Sequence, residues 1–319
     1  MLQRLLGHLR AFKPAYMAYN FLHRRRLRHN EALYRRYGLR QPIYSSISSA
    51  DFREAAPGES PRFDRADSAR LAPTLPGFAE FDEATQQQIL QWSEKGYLVL
   101  RGLFTAAEVA TINAEVAQLI DKGEADWNAR QVKIMFAIRQ SEAIRRIVAK
   151  RELERVLDFL LGKKAHVFQS INFLRGSEQL AHSDSIHMTT YPLGYLVAAW
   201  IALEPVTAEN GPVFYYPGSH RLPYVLNGDF PHGGSHFLIG DQAYQHYEQA
   251  IEAVIARENT PAEELHAQPG DVLIWHANLL HGGRPIRRAG STRRSMVLHY
   301  FAQDDVVCYH EITQRPALL

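Results

Sequence analysis

The 319-residue sequence predicts an α+β protein: a jelly-roll core of antiparallel strands, flanking helices and an N-terminal helical extension. Three observations predict it. The first half carries apolar residues at helical spacing, while after Gly162 the pattern changes to short aromatic and β-branched runs split by turn signals. With 46% hydrophobic and 22% charged residues, the chain can also bury a full core, which excludes a disordered or collagen-like protein. The longest apolar run, Tyr195 to Leu203, is too short for a membrane span, which needs roughly 20 residues.

Residues 1–40 form the first unit. Leu2, Leu5, Leu6, Leu9 and Phe12 follow a helical period, ahead of Arg24-Arg25-Arg26-Leu27-Arg28 and among Tyr16, Tyr19 and Phe21. Ten Lys/Arg against the single acid Glu31 give this unit +9, so with a net charge of +2 the rest of the chain carries −7. Such an arm suits packing on its own domain or a second subunit, or contact with an anionic membrane surface; nucleic acid is the third choice. The unit contains no serine and no small-residue cleavage site, which argues against a transit or secretory peptide. One cysteine, Cys308, excludes intrachain disulfides and fits a reducing, cytoplasmic setting, with peripheral membrane contact through the arm as the variant.

Residues 41–86 hold Pro42, Pro57, Pro61, Pro73 and Pro76 and read as a segment wrapped on the body, which itself spans 87–319. In the body, Glu94–Leu100 predicts a short strand after a helix. Thr105 and Glu108 make a capping box ahead of Val109, Ile112, Val116 and Leu119, and Glu142–Leu161 predicts a second helical region. Strands are predicted at Val167–Leu174, Leu196–Leu203, Val213–Tyr216, Val272–Trp275 and Ser295–Phe301, with a helix near Asp241–Arg257.

Among 15 histidines the sharpest local feature is His182-Ser183-Asp184, since residues i and i+2 of an extended strand point to the same side. With His281, which follows the strand ending at Trp275, they supply two imidazoles and a carboxylate, the facial set of non-haem Fe(II) oxygenases. Taken alone, His-x-Asp is a weak signal that reads more readily as a solvated loop histidine beside an N-cap aspartate. His187 and His276 stand an odd number of residues from His182 and His281 and should face away from the ion, His220 should brace its turn, and Trp200 should pack in the core.

The order of further elements reverses that balance. From Trp92–Phe104 through Ala199–Pro212, Pro217-Gly218-Ser219-His220, His281 and Arg293-Arg294-Ser295 to Phe301, the sequence resembles the phytanoyl-CoA dioxygenase family of Fe(II)/2-oxoglutarate oxygenases. The resemblance implies a double-stranded β-helix core, iron on His182, Asp184 and His281, and the cosubstrates 2-oxoglutarate and O2. It implies an arginine about eleven residues past the distal histidine for the 2-oxoglutarate carboxylate; here the distance is twelve, so Arg293 and Arg294 compete. Arg293 is preferred because it shares a strand face with Ser295, and a guanidinium and a hydroxyl together can hold one carboxylate. Gln169 and Asn172 stand where similar enzymes face the cosubstrate or substrate, but their odd separation sets them on opposite faces.

The implied reaction is hydroxylation of an unactivated C–H bond in a small-molecule or lipid-linked substrate. Asp184 favours hydroxylation over halogenation, since related halogenases carry a small residue there. Desaturation, cyclisation or epimerisation on the same scaffold, or a non-catalytic metal-binding interaction protein, are the alternatives. Specificity is expected from residues 41–86 and from Leu222–Ala267, with Tyr224, Phe230, Phe237, Tyr244 and Tyr247.

Overall fold

A computed structural model describes residues 11–128, 132–235 and 237–318. Its frame is a six-stranded antiparallel sheet in the order β1-β8-β5-β10-β3-β2. These strands are β1 (Tyr97–Leu100), β2 (Lys133–Met135), β3 (Ala165–Phe173), β5 (Leu196–Ala202), β8 (Val272–His276) and β10 (Ser295–Ala302). Two three-stranded antiparallel sheets complete the strand layers. One contains β4 (Thr189–Tyr191), β11 (Val307–His310) and β12 (Arg315–Pro316); the other contains β6 (Val213–Tyr215), β7 (Glu263–Leu265) and β9 (His281–Gly283).

All residues of β5 and β10 are buried, because the large sheet is covered on both faces and its central strands meet no water. Alternation then decides which cover each side chain meets. Val197, Ala199, Ile201, Ile274, Met296 and Leu298 point to the helical layer, whereas Ala198, Trp200, Leu273, Trp275 and Val297 form the interior cluster with Val213 and Leu265 of the smaller sheet.

Four helices shape the outer layer and rim. The capping box is present: Thr105 accepts from the Glu108 amide, Glu108 accepts from the Thr105 amide, and α-helix Ala106–Asp121 buries Val109, Ile112, Val116 and Leu119. The single region expected over 142–161 is two helices, Glu142–Val148 and Arg151–Leu161. The chain leaves helical geometry at Ala149 and Lys150, and this turn lets the Lys150 ammonium reach Glu108 at 2.8 Å. Helix Ala243–Glu258 packs Tyr247 and Ile251 against Ile186 and Leu280.

Residues 41–86 form short helical turns that place Phe63, Ala72 and Phe78 in the helix-side core. The basic arm also lies on the body. Its helices Lys13–Leu22 and His29–Tyr37 bury Tyr16, Tyr34 and Tyr37, and the 3-10 turn Arg24–Leu27 between them buries Leu27; Tyr34 and Tyr37 pack with Ile47, Phe52, Val307 and Tyr309, and the Tyr16 hydroxyl donates to the Gln314 carbonyl. The expected apolar face at Leu2, Leu5, Leu6 and Leu9 lies outside the described residues. Among the described residues, no helix is long and apolar enough to cross a membrane.

Candidate active site

A cavity of about 350 Å³ lies between the inner face of the large sheet and the segments carrying His182 and His281. Backbone pairing builds its wall: His182 and His281 face each other across an antiparallel bridge, each amide donating to the other's carbonyl at 2.9 Å. His281 opens β9. The strand expected to carry His182 and Asp184 is a correction, because Asp184 begins a 3-10 turn, Asp184–Ile186, and only Ser183 between them is extended.

That turn still brings the three groups together. One ligating atom from each of His182, Asp184 and His281 lies within 4.8 Å of the others, and all three residues are buried. Each histidine uses Nδ1 against a nearby carbonyl, that of Leu180 or Leu279, at 2.9 Å, which leaves both Nε2 atoms toward the centre. The Trp275 indole donates to Asp184 Oδ2 at 2.8 Å, while Asp184 Oδ1 stands 3.7 Å from His281 Nε2. Burial opposes ionisation of Asp184, but His281, His299 and His182 outweigh it and hold the carboxyl well below the usual range. Burial, reinforced by His281 and His187, pushes the His182 imidazole far down. An anionic carboxylate at Asp184 and a neutral imidazole at His182 are the forms that a divalent ion requires of them.

At another part of the wall, Arg293 is 1% exposed. It donates to the Gly211 carbonyl at 3.1 Å, but its Nε, the Ser295 hydroxyl and the Trp200 indole N–H have no partner among the described residues. Burial lowers the guanidinium to about 10, so it remains a cation at neutral pH. Arg294 instead lies half exposed, its amide bonded to Glu204.

Gln169 lines the cavity, with its Oε1 unpartnered, as do Ile171 and Phe173 of the same face. Asn172 is a correction to the expectation of a cavity role. It faces the opposite side of β3, where it is buried without a hydrogen-bond partner, because the strand alternates. His187, expected to face away, lines the cavity with its ring 5.6 Å from that of His182, since the 3-10 turn replaces strand alternation there. His276 does point elsewhere, with Nε2 3.3 Å from Asp64. His220 is buried in its turn, and Trp200 is both packed and cavity-lining.

Three residues of the constellation were missed. His299 lies 3.6 Å from Asp184 Oδ2, and period two on β10 places it in the row of Arg293, Ser295 and Val297, a signal that was readable. Trp275 could have been found the same way on β8. Gln179 donates toward His182 Nε2 at 3.2 Å and to the Tyr244 hydroxyl at 3.1 Å; no periodicity marks it. A larger groove of about 750 Å³ along the β1 edge, lined by Glu80, Arg101, Glu152 and Arg155, contains none of these groups.

A sequence profile described as phytanoyl-CoA dioxygenase (PhyH) matches residues 92–295. Ectoine dioxygenase of Sphingopyxis alaskensis is 27% identical over 215 residues, covering 61% of this chain and 69% of that protein. Phytanoyl-CoA dioxygenase 1 of Oryza sativa subsp. japonica is 23% identical over 244 residues, covering 62% and 82%. Among solved structures, the non-haem α-ketoglutarate-dependent carbocyclase SnoK from nogalamycin biosynthesis superposes with a TM-score of 0.57 at 20% identity, over 77% of this chain and 89% of that one. EctD from S. alaskensis gives 0.54 at 22% identity, over 70% and 79%, in a structure with 2-oxoglutarate and 5-hydroxyectoine. These superpositions establish a common fold.

Proposed function

Because the chain belongs to the phytanoyl-CoA dioxygenase family, and so is a 2-oxoglutarate-dependent non-haem iron dioxygenase, we propose that it hydroxylates an unactivated C–H bond of a small-molecule or lipid-linked substrate. In this reading the facing sheets are the two halves of a double-stranded β-helix. His182, Asp184 and His281 hold Fe(II), and Arg293 with Ser295 holds the far carboxylate of 2-oxoglutarate. The observation that carries the proposal is the convergence, in one cavity, of a buried His-Asp-His set and a buried guanidinium with an unsatisfied N–H.

The donor set fits the group: two imidazole nitrogens and one carboxylate oxygen suit iron and leave coordination positions for exogenous ligands. When bound, iron with 2-oxoglutarate and O2 supplies the oxidising power, and succinate and CO2 are the coproducts. The protein positions and excludes. The carbonyls of Leu180 and Leu279 orient the two rings, and Trp275 fixes one carboxylate oxygen of Asp184. A buried cation with an unpaired N–H is costly, so Arg293 favours an incoming carboxylate strongly and selects against neutral cosubstrates. Gln169 and His187 line the remaining wall, where they would orient substrate.

Anaerobic titration with Fe(II) and 2-oxoglutarate, followed by a candidate panel scored for succinate and product mass, tests the proposal. Gain of one oxygen atom supports it; loss of two hydrogens would move the reaction to desaturation, and absence of any 2-oxoglutarate binding would sink it. Among the described residues, support for membrane contact by the arm comes from exposed Phe12, Tyr19, Phe21 and Leu22 near Arg24 and Arg25; co-sedimentation with anionic liposomes at low and high salt tests that part.

A further inference from the structure

Backbone bonds hold the His182–Asp184 segment on either side of Ser183. The His182 amide and carbonyl are paired with His281, the Ser185 amide donates to the Ala277 carbonyl at 3.3 Å, and the amides of His187 and Met188 both donate to the Asp184 carbonyl at 2.9 Å. Ser183 stands between these supports, past the bridge at His182 and ahead of the 3-10 turn that Asp184 opens. Its buried amide donates to a side chain, the Tyr247 hydroxyl, at 2.8 Å, and that hydroxyl points back to Ser183 Oγ at 3.4 Å.

Tyr247 belongs to helix Ala243–Glu258 and is fully buried, its ring edge-on to Phe230 and stacked on Tyr244, each at 5.8 Å between centroids. The sequence placed it among the residues expected to set specificity, yet it does not line the cavity. Its helix instead reaches the neighbours of every donor. Tyr244, on the same helical face, accepts from Gln179, three residues before His182, and Tyr247 and Ile251 pack with Ile186 and Leu280, two residues after Asp184 and one before His281. The torsions at Ser183 decide how Asp184 is aimed relative to His182, because the peptide units themselves are rigid. Without its acceptor the Ser183 amide would be a buried, unpaired donor, and relieving that cost means turning the peptide. His182 is pinned by the bridge to His281, so the turn would be taken up at Asp184.

We propose that Tyr247 is a positioning residue: its hydroxyl fixes the backbone between His182 and Asp184 and thereby sets the spacing of two of the three metal donors. The proposal rests on the His-Asp-His reading of the site and names a group outside the cavity that holds those donors in register. Helix Ala243–Glu258 then serves the metal set through Tyr247, rather than the substrate.

Binding of Co(II) alone is measured on the full chain, by calorimetry and by visible absorption, so the outcome is independent of turnover. Tyr247→Phe removes one oxygen and keeps the ring; it should bind Co(II) about 10- to 100-fold more weakly. The absorption bands of the Co(II)-saturated variant should also change in position or intensity, since they report ligand geometry. Ile251→Val trims the same packing one turn along without touching a polar group. It should lower the melting temperature yet match the parent in Co(II) affinity and spectrum. If Tyr247→Phe does not fold, 3-fluorotyrosine at position 247 keeps the ring and hydroxyl but makes the oxygen a poorer acceptor, and Co(II) affinity should still fall; unchanged affinity there would overturn the role. Parental affinity and spectrum in Tyr247→Phe, or an equal loss in Ile251→Val, would overturn it while leaving the metal site intact. No Co(II) binding by the parent would overturn both.

Discussion

The inner and outer faces of the six-stranded sheet are built from the same strands, residue by alternate residue, yet they do opposite work. Leu298 faces the helical layer and packs in its apolar core, whereas its chain neighbours Val297 and His299 line the cavity, with His299 directed at Asp184. The outer face supplies most of the apolar burial, interrupted on β3 by buried Ser170 and Asn172. The inner face keeps unsatisfied polar atoms, on Gln169, Trp200, Arg293 and Ser295, that a core alone would not tolerate. Stability and chemistry are thus separable at single-residue spacing, and substitutions on each face test this.

The largest effect is expected inside. His281→Ala should reduce 2-oxoglutarate-dependent succinate formation to background while the circular dichroism spectrum is retained, because the backbone bridge to His182 does not need the imidazole. Succinate at the parental rate would remove His281 from the set. On the outer face, Leu298→Ala should cost about 2–5 kcal/mol of stability, read as a lower denaturation midpoint, with succinate formed per folded molecule close to the parent. A large loss of activity per folded molecule would show that the two faces are coupled.

A smaller effect separates two adjacent arginines. Arg293→Ala should raise the 2-oxoglutarate concentration needed for half-saturation roughly 10- to 150-fold, the range of a lost charge-assisted hydrogen bond of about 1.5–3 kcal/mol. Arg294→Ala, on the exposed side, should change it little; the reverse ranking would relocate the carboxylate site.

The smallest effect lies where the arm's connection meets the C-terminal segment. Glu311 is fully buried, accepting from Ser49 and from the Asn227 amide, and burial raises its pKa above the ordinary glutamate value despite these bonds. The folded state therefore holds the proton more tightly than the unfolded chain, and this contribution to stability is present at low pH and lost as pH rises through the raised pKa. The stability of the parent relative to Glu311→Gln should fall as pH rises from about 4.5, the ordinary glutamate range. A gap that widens in favour of the parent would reverse the assignment.

Most strands were legible because β-branched and aromatic runs mark central strands and turn residues bound them; the observed β5 and β10 match the expected ranges to within one residue. The His-Asp-His set was legible through residue type and order, although its backbone geometry was not: a 3-10 turn looks like an extended His-x-Asp until the chain is folded. Strict alternation turns Asn172 outward, as its odd separation from Gln169 required of one of the two, whereas His187 reaches the cavity by escaping alternation. The helix break at Ala149–Lys150 and the amide of Gln179 depend on distant partners, Glu108 and Tyr244, and pairings across such separations leave no period in the sequence. The arm's composition fitted both a bilayer and a protein surface; only contacts with residues near 310 reveal where Tyr16 and Tyr34 lie.

The reciprocal backbone bonds between His182 and His281 have a consequence for calorimetry and for metal exchange. With two of the three donor residues joined by main chain, the site is assembled before an ion arrives, and little binding free energy is diverted into ordering it. The rise in melting temperature on adding a divalent ion should therefore follow mass action, growing with the logarithm of concentration once it exceeds Kd. Metals that bind the same three donors would then rank by intrinsic affinity, with nickel or cobalt displacing iron in a purified sample unless the supply is controlled.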